Sequence, residues 1–110
     1  MKHLTAFFLL FSLPGWLYAQ PMEAYTFRHL GPEQGLAGST VTNMLQDSRG
    51  YLWISCGTDG LQRYDGERFL LFRHDPSDST SIPYGGAGGL FEDSRGTIWC
   101  GIGQQHIVTF

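Results

Sequence analysis

The phrase Asp47-Ser48-Arg49-Gly50-Tyr51-Leu52-Trp53 returns as Asp93-Ser94-Arg95-Gly96-Thr97-Ile98-Trp99, a spacing of 46 residues in a chain of only 110. The same register relates Leu45 to Phe91, Gly57 to Gly103, Leu61 to Ile107 and Tyr64 to Phe110. A period of this size, filled with short strand patterns and Gly-rich turns, belongs to the blades of a β-propeller. Two units are present, so the expected fold is all-β: a partial propeller of about two four-stranded antiparallel blades, the second incomplete.

The first 19 residues do not share the pattern. Met1-Lys2-His3 precedes an apolar run from Leu4 to Leu13, a Pro14-Gly15 break and Leu17-Tyr18-Ala19, the layout of a helical secretory signal peptide cleaved after Ala19. The run is too short and too early interrupted for a membrane span. Without it the chain loses its only lysine and keeps six arginines against ten carboxylates, a net charge of −4. That balance disfavours nucleic acid as a partner.

Residues 20–38 form a leader, 39–83 a first blade and 84–110 a truncated second one. In the first blade, Ser39–Gln46 is a strand pattern, and Asp47-Ser48-Arg49-Gly50 is a turn whose Asp accepts from backbone amides while Gly supplies a positive φ. Tyr51–Cys56 carries apolar groups on both faces, so it needs cover on two sides. Leu61–Tyr64 and Arg68–Arg73 complete the blade, and His74–Pro83 is a polar surface connector. The second blade has strand patterns near Gly86–Glu92, Thr97–Ile102 and His106–Phe110. The tract Gly85-Gly86-Ala87-Gly88-Gly89 predicts an irregular inner strand, tolerable where another group approaches the backbone closely. Tyr25–His29 resembles the fourth strand, since Phe27-Arg28-His29 repeats Phe72-Arg73-His74. A fourth strand ahead of any first one is expected to complete the last blade of a ring, which marks the chain as the amino-terminal piece of something longer. Two blades alone leave open faces and predict poor solubility.

Export would permit a disulfide between Cys56 and Cys100. In the repeat, however, Cys56 aligns with Ile102 and Cys100 with Ile54. One sulfur then faces the junction between the blades and the other faces away from it, too far for a bond. Buried free thiols are expected. Asp47 and Asp93 read as turn formers rather than paired carboxylates or calcium ligands. Trp53 and Trp99 read as packing between blades rather than sugar platforms. Together with Gly50 and Gly96 these are the structural residues of the repeat. His29, His74 and His106 lack ligand spacing and should face solvent. There is no Gly-x-Ser-x-Gly elbow, and the glycine tract lacks the Lys-Ser/Thr of a phosphate loop. No cofactor or metal is implied. A ligand would meet the mouth of the central channel, near Gly38–Val41 and Tyr84–Gly88.

Gln34-Gly35-Leu36, Ser39-Thr40-Val41, Leu45–Ile54 and Asp59–Phe69 together resemble the two-component regulator propeller repeat. The resemblance implies the periplasmic sensor part of a Bacteroidetes-type hybrid histidine kinase, with further propeller blades, a membrane helix and cytoplasmic kinase modules beyond this segment. It also implies an exported protein whose parent is anchored in the inner membrane, an oligosaccharide ligand, a full-length homodimer and contacts with the rest of the sensor. This chain alone would be catalytically silent. Two departures stand out: Ser55-Cys56-Gly57-Thr58 keeps only part of the family's Gly-Thr turn, and Cys100-Gly101-Ile102-Gly103 drifts further. Other classes remain open, namely an exported propeller enzyme acting on polysaccharides, which needs a carboxylate pair on one cleft, and a scaffold for protein contacts.

Overall fold

A computed structural model describes residues 24–110; the expected signal peptide lies outside the described residues. Seven strands form two antiparallel sheets. The first contains β1 (Asn43–Gln46), β2 (Leu52–Ser55), β3 (Leu61–Tyr64) and β4 (Phe69–Phe72), in the order β1-β2-β3-β4. The second contains β5 (Ala87–Glu92), β6 (Ile98–Ile102) and β7 (His106–Thr109), in the order β5-β6-β7. These are blade 1 and the first three strands of blade 2. One short 3-10 turn, Pro32–Gln34, precedes them.

The meander order results from the turns. Asp47-Ser48-Arg49-Gly50 closes on itself through Gly50 N–H to the Asp47 carbonyl at 3.0 Å, with Gly50 at φ 90°. Gly57–Gly60 closes likewise, Gly60 N–H donating to the Gly57 carbonyl at 3.2 Å. With links this short, consecutive strands must lie antiparallel side by side. β1 begins only at Asn43, later than the Ser39 start that alternation suggested. Over that stretch Thr42 N–H donates to the Ser55 carbonyl at 2.9 Å, and no ladder extends further back.

Pairing β2 with β3 and β4 sorts the side chains into two faces. Trp53, Leu61, Leu45 and Phe72 point toward blade 2, on what we term the trailing face. Ile54, Cys56 and Tyr64 point the other way, on the leading face. Blade 2 presents its own leading face to blade 1: Ala87, Ile98, Cys100 and Ile102 are buried there with Trp53 and Leu61 in one apolar cluster. Both sheets are therefore packed face on, as blades of a propeller are, and the repeat supplies the same apolar positions to each layer. The leader occupies the leading face of blade 1, where Leu30 and Leu36 pack against Ile54, Cys56 and Tyr64.

The two sulfurs fall on opposite sides of blade 1. Cys100 lies in the cluster between the blades and Cys56 in the cluster beneath the leader; both are free and buried. Residues 24–29 make no strand and are exposed, Tyr25 and Phe27 almost fully so.

Candidate functional site

Each repeat is held by its turn aspartate. Asp47 is buried, and its Oδ1 accepts from the Arg49 and Tyr51 amides, both at 2.9 Å, while Oδ2 accepts from the Trp53 indole N–H at 2.8 Å. Asp93 repeats the arrangement with Arg95 (2.9 Å), Thr97 (3.0 Å) and Trp99 (2.9 Å). Six residues separate acceptor from indole because the turn reverses the chain and the second strand carries the ring back past the carboxylate. Burial pushes the Asp47 carboxyl up, but the Trp53 indole, the two amides and the Arg49 charge outweigh it and hold the group below the ordinary carboxylate range. The Trp99 indole, aided by amides of its own turn, lowers Asp93 as well.

The other turn carboxylates behave similarly. Asp65 caps the Glu67 and Arg68 amides, Asp75 the Ser77 amide and hydroxyl, and Asp78 those of Thr80. Carboxylates spent on their own loops are poorly suited to the shared cleft that a glycosidase requires. Among the described residues, no group of three or more His, Cys, Asp or Glu side chains is placed to hold a metal ion.

Of the two segments flagged as channel mouth, Tyr84–Gly88 is bonded to blade 1, and its partners are Thr42, Ser55 and Gly57 rather than residues of Gly38–Val41. The Thr42 hydroxyl reaches the Ser55 and Ala87 carbonyls at 3.2 and 3.4 Å, and Ala87 N–H donates to the Gly57 carbonyl at 2.9 Å. The fully buried Ser55 hydroxyl donates to the Gly88 carbonyl at 2.8 Å. Blade 1 is thus bonded directly to the inner strand of blade 2, which carries a register shift between Ala87 and Leu90. Gly85 has no room for a side chain, since a Cβ would sit 2.9 Å from the Gly103 backbone, and its φ is 139°.

Beside this contact, at the end of the blades that carries the Gly57–Gly60 turn and the connector, lies a cleft of about 260 Å³ lined by Thr58, Arg73, His74, Ile82 and Tyr84 among others. The Tyr84 ring stands edge-on to His74, with centroids 5.8 Å apart. His74 is half-buried and its Nδ1 lies 2.8 Å from the Ile82 carbonyl, so it is tied to the connector rather than solvent-facing as the sequence suggested. His29 and His106 are exposed. Tyr84, Arg73, His74 and Thr58 thus bring an exposed aromatic ring, a guanidinium, an imidazole and a hydroxyl to one cleft.

Sequence reasoning missed Gln62. It is buried, its Oε1 accepts from the Ala37 amide at 2.7 Å, and its Nε2 donates to the Gly35 carbonyl at 3.0 Å, which pins the leader to β3. The only sequence hint is a polar residue on a strand position whose neighbours along that face are apolar.

Antiparallel blades repeated at a fixed register and packed face on define a partial β-propeller. Residues 35–58 match the family model of the two component regulator propeller, and the chain carries that repeat. It is 44% identical over 59 residues, 53% of its length, to the histidine kinase P4 of Formosa agariphila. The chain spans about 4% of the length of that curated relative.

Proposed function

We propose that this chain is the amino-terminal edge of a periplasmic, ligand-sensing propeller in a hybrid two-component histidine kinase. The observation that supports it most is the joint likeness to the regulator propeller repeat and to a histidine kinase. On this reading the propeller carries no chemistry of its own; kinase modules belong to the remainder of the protein. The leader, through Leu30 and Leu36 on the leading face of blade 1, is where the ring's last blade joins blade 1. That role is supported by the leader's seat on blade 1: Leu36 there stands 46 residues before Ile82, which packs in the cluster between blades 1 and 2.

The ligand is an oligosaccharide, and the cleft at Tyr84, His74 and Arg73 is its contact within these two blades. Ring stacking on Tyr84 complements the C–H face of a sugar, and Arg73 and Thr58 offer donors to hydroxyls. Binding there shifts the population between two arrangements of a full-length homodimer, since a ligand moves an equilibrium only by its differential affinity for the two states. The test is titration of the full gene product with oligosaccharide fractions, monitored by intrinsic fluorescence. Saturable binding weakened about tenfold by Tyr84→Ala, the loss of roughly one stacking contact of 1.4 kcal/mol, is expected. Binding unaffected by Tyr84→Ala would rule out the cleft, and no binding to any fraction would rule out the oligosaccharide.

A further inference from the structure

The two blades differ most at positions the repeat makes equivalent. Trp53 is 3% exposed and Trp99 41%; Leu61 is 0% exposed and Ile107 71%. Leu45 is half-buried, whereas its counterpart Phe91 is exposed. In blade 1 these three positions form the trailing face that blade 2 covers. In blade 2 they line a shallow apolar groove of about 470 Å³ with Gly89 and Gly101. The groove thus continues an interface already present 46 residues earlier in the same chain.

That earlier interface has a polar latch at its rim. Glu92 reaches from blade 2 to the first turn of blade 1, where its carboxylate accepts from Ser48 N–H at 3.1 Å (Oε1) and 2.9 Å (Oε2) and from the Ser48 hydroxyl at 3.1 Å. Glu92 stands one place before its own turn aspartate, and blade 1 has Gln46 there, a side chain that also offers an acceptor. Ser48 recurs as Ser94, which is exposed and has no hydrogen-bond partner among the described residues. The donor half of a second latch is therefore laid out on blade 2.

We propose that the trailing face of blade 2 docks one further blade of this same repeat, whose Glu or Gln one place before its turn aspartate seats on Ser94 as Glu92 seats on Ser48. The apolar groove supplies attraction without direction, and the latch fixes the height at which the blades meet. A one-residue slip would carry the acceptor to the other face of its strand. Glu92 is accordingly a positioning residue of the stack, selecting a partner by an acceptor at one register position.

The experiment extends the full chain by a single period, appending a copy of residues 65–110 directly after Phe110. Amide exchange is read by mass spectrometry with residue-level fragmentation at Ser94 and at Ser48, the internal reference, together with acrylamide quenching of Trp99 against a Trp99→Phe control, both on chains diluted to nanomolar concentration. The extension is expected to shield Trp99 and slow exchange at Ser94 about tenfold, to the level of Ser48. Glu92→Ala in the appended copy should restore fast exchange at Ser94 while Trp99 stays covered, and Glu92→Gln there should retain the protection. In the unaltered chain, Glu92→Ala should release Ser48 alone, a readout that does not depend on the extension folding. Three outcomes overturn the proposal: a Ser48 amide unaffected by Glu92→Ala, an extended chain whose Trp99 remains as accessible as before, or a covered Trp99 beside a freely exchanging Ser94.

Discussion

Asp47 and Asp93 have the same sequence surroundings and hydrogen-bond pattern, but only Asp47 is buried. Asp47→Ala strands the buried Trp53 indole N–H and two turn amides, so a loss of roughly 2 kcal/mol is expected in urea unfolding. Asp93→Ala should cost less, because water reaches the groups it frees; an equal loss would contradict the difference in environment. Both carboxyls are lowered in the folded state, so both stabilise it when ionised. Their contribution is complete above the ordinary Asp value of about 4 and is lost as pH falls through the depressed folded values. Urea midpoints measured from pH 7 down to pH 2 should fall below pH 4, and less steeply in Asp47→Ala. Burial pushes the Cys56 and Cys100 thiols up, so maleimide at pH 8 should label the native chain slowly and the urea-unfolded chain quickly. The turn aspartates were legible from Asp-x-x-Gly alone, whereas the indole contact was not, since it depends on where the second strand carries the ring.

Among the strands, alternation located six of the seven closely and misjudged β1, whose predicted first residues Ser39–Val41 are exposed and outside the ladder, while Thr42 reaches across to the Ala87 carbonyl. The glycine tract Gly85–Gly89 reads in the sequence as an irregular inner strand, and the register shift between Ala87 and Leu90 agrees with that. The Ser55 hydroxyl and the Gly57 carbonyl bond to that backbone from blade 1, and the close approach within the tract is that of Gly103 to Gly85. Each glycine there has a different margin. Gly85→Ala would place a Cβ against Gly103 at a φ unsuited to it and should cost about 2 kcal/mol. Gly89→Ala meets nothing within 4 Å and should change stability by less than about 0.5 kcal/mol. Thermal unfolding of the pair side by side checks this, and a similar loss at both would show that the tract is not read position by position.

At the scale of the molecule, the repeat register carries the explanation. It told from sequence that the two cysteines face opposite ways, and it now accounts for why Trp53 is buried and Trp99 exposed. The leader's tie to β3 through Gln62 could not be foreseen, because nothing in the chain's pattern pairs a strand glutamine with backbone groups at Gly35 and Ala37. Apolar surface at Phe91, Trp99 and Ile107 should make the chain associate at micromolar concentration and bind a hydrophobic dye, with light scattering and dye fluorescence both falling in Ile107→Lys. A monomeric, dye-silent chain would contradict that. Assignment of these blades to a longer sensor kinase is tested most directly by reading the genomic DNA past the codon for Phe110. The predicted result is an open frame with further Asp-x-x-Gly-x-(Leu/Ile)-Trp repeats, a membrane span and kinase modules. A stop codon directly after Phe110 would leave a two-blade protein and contradict that assignment.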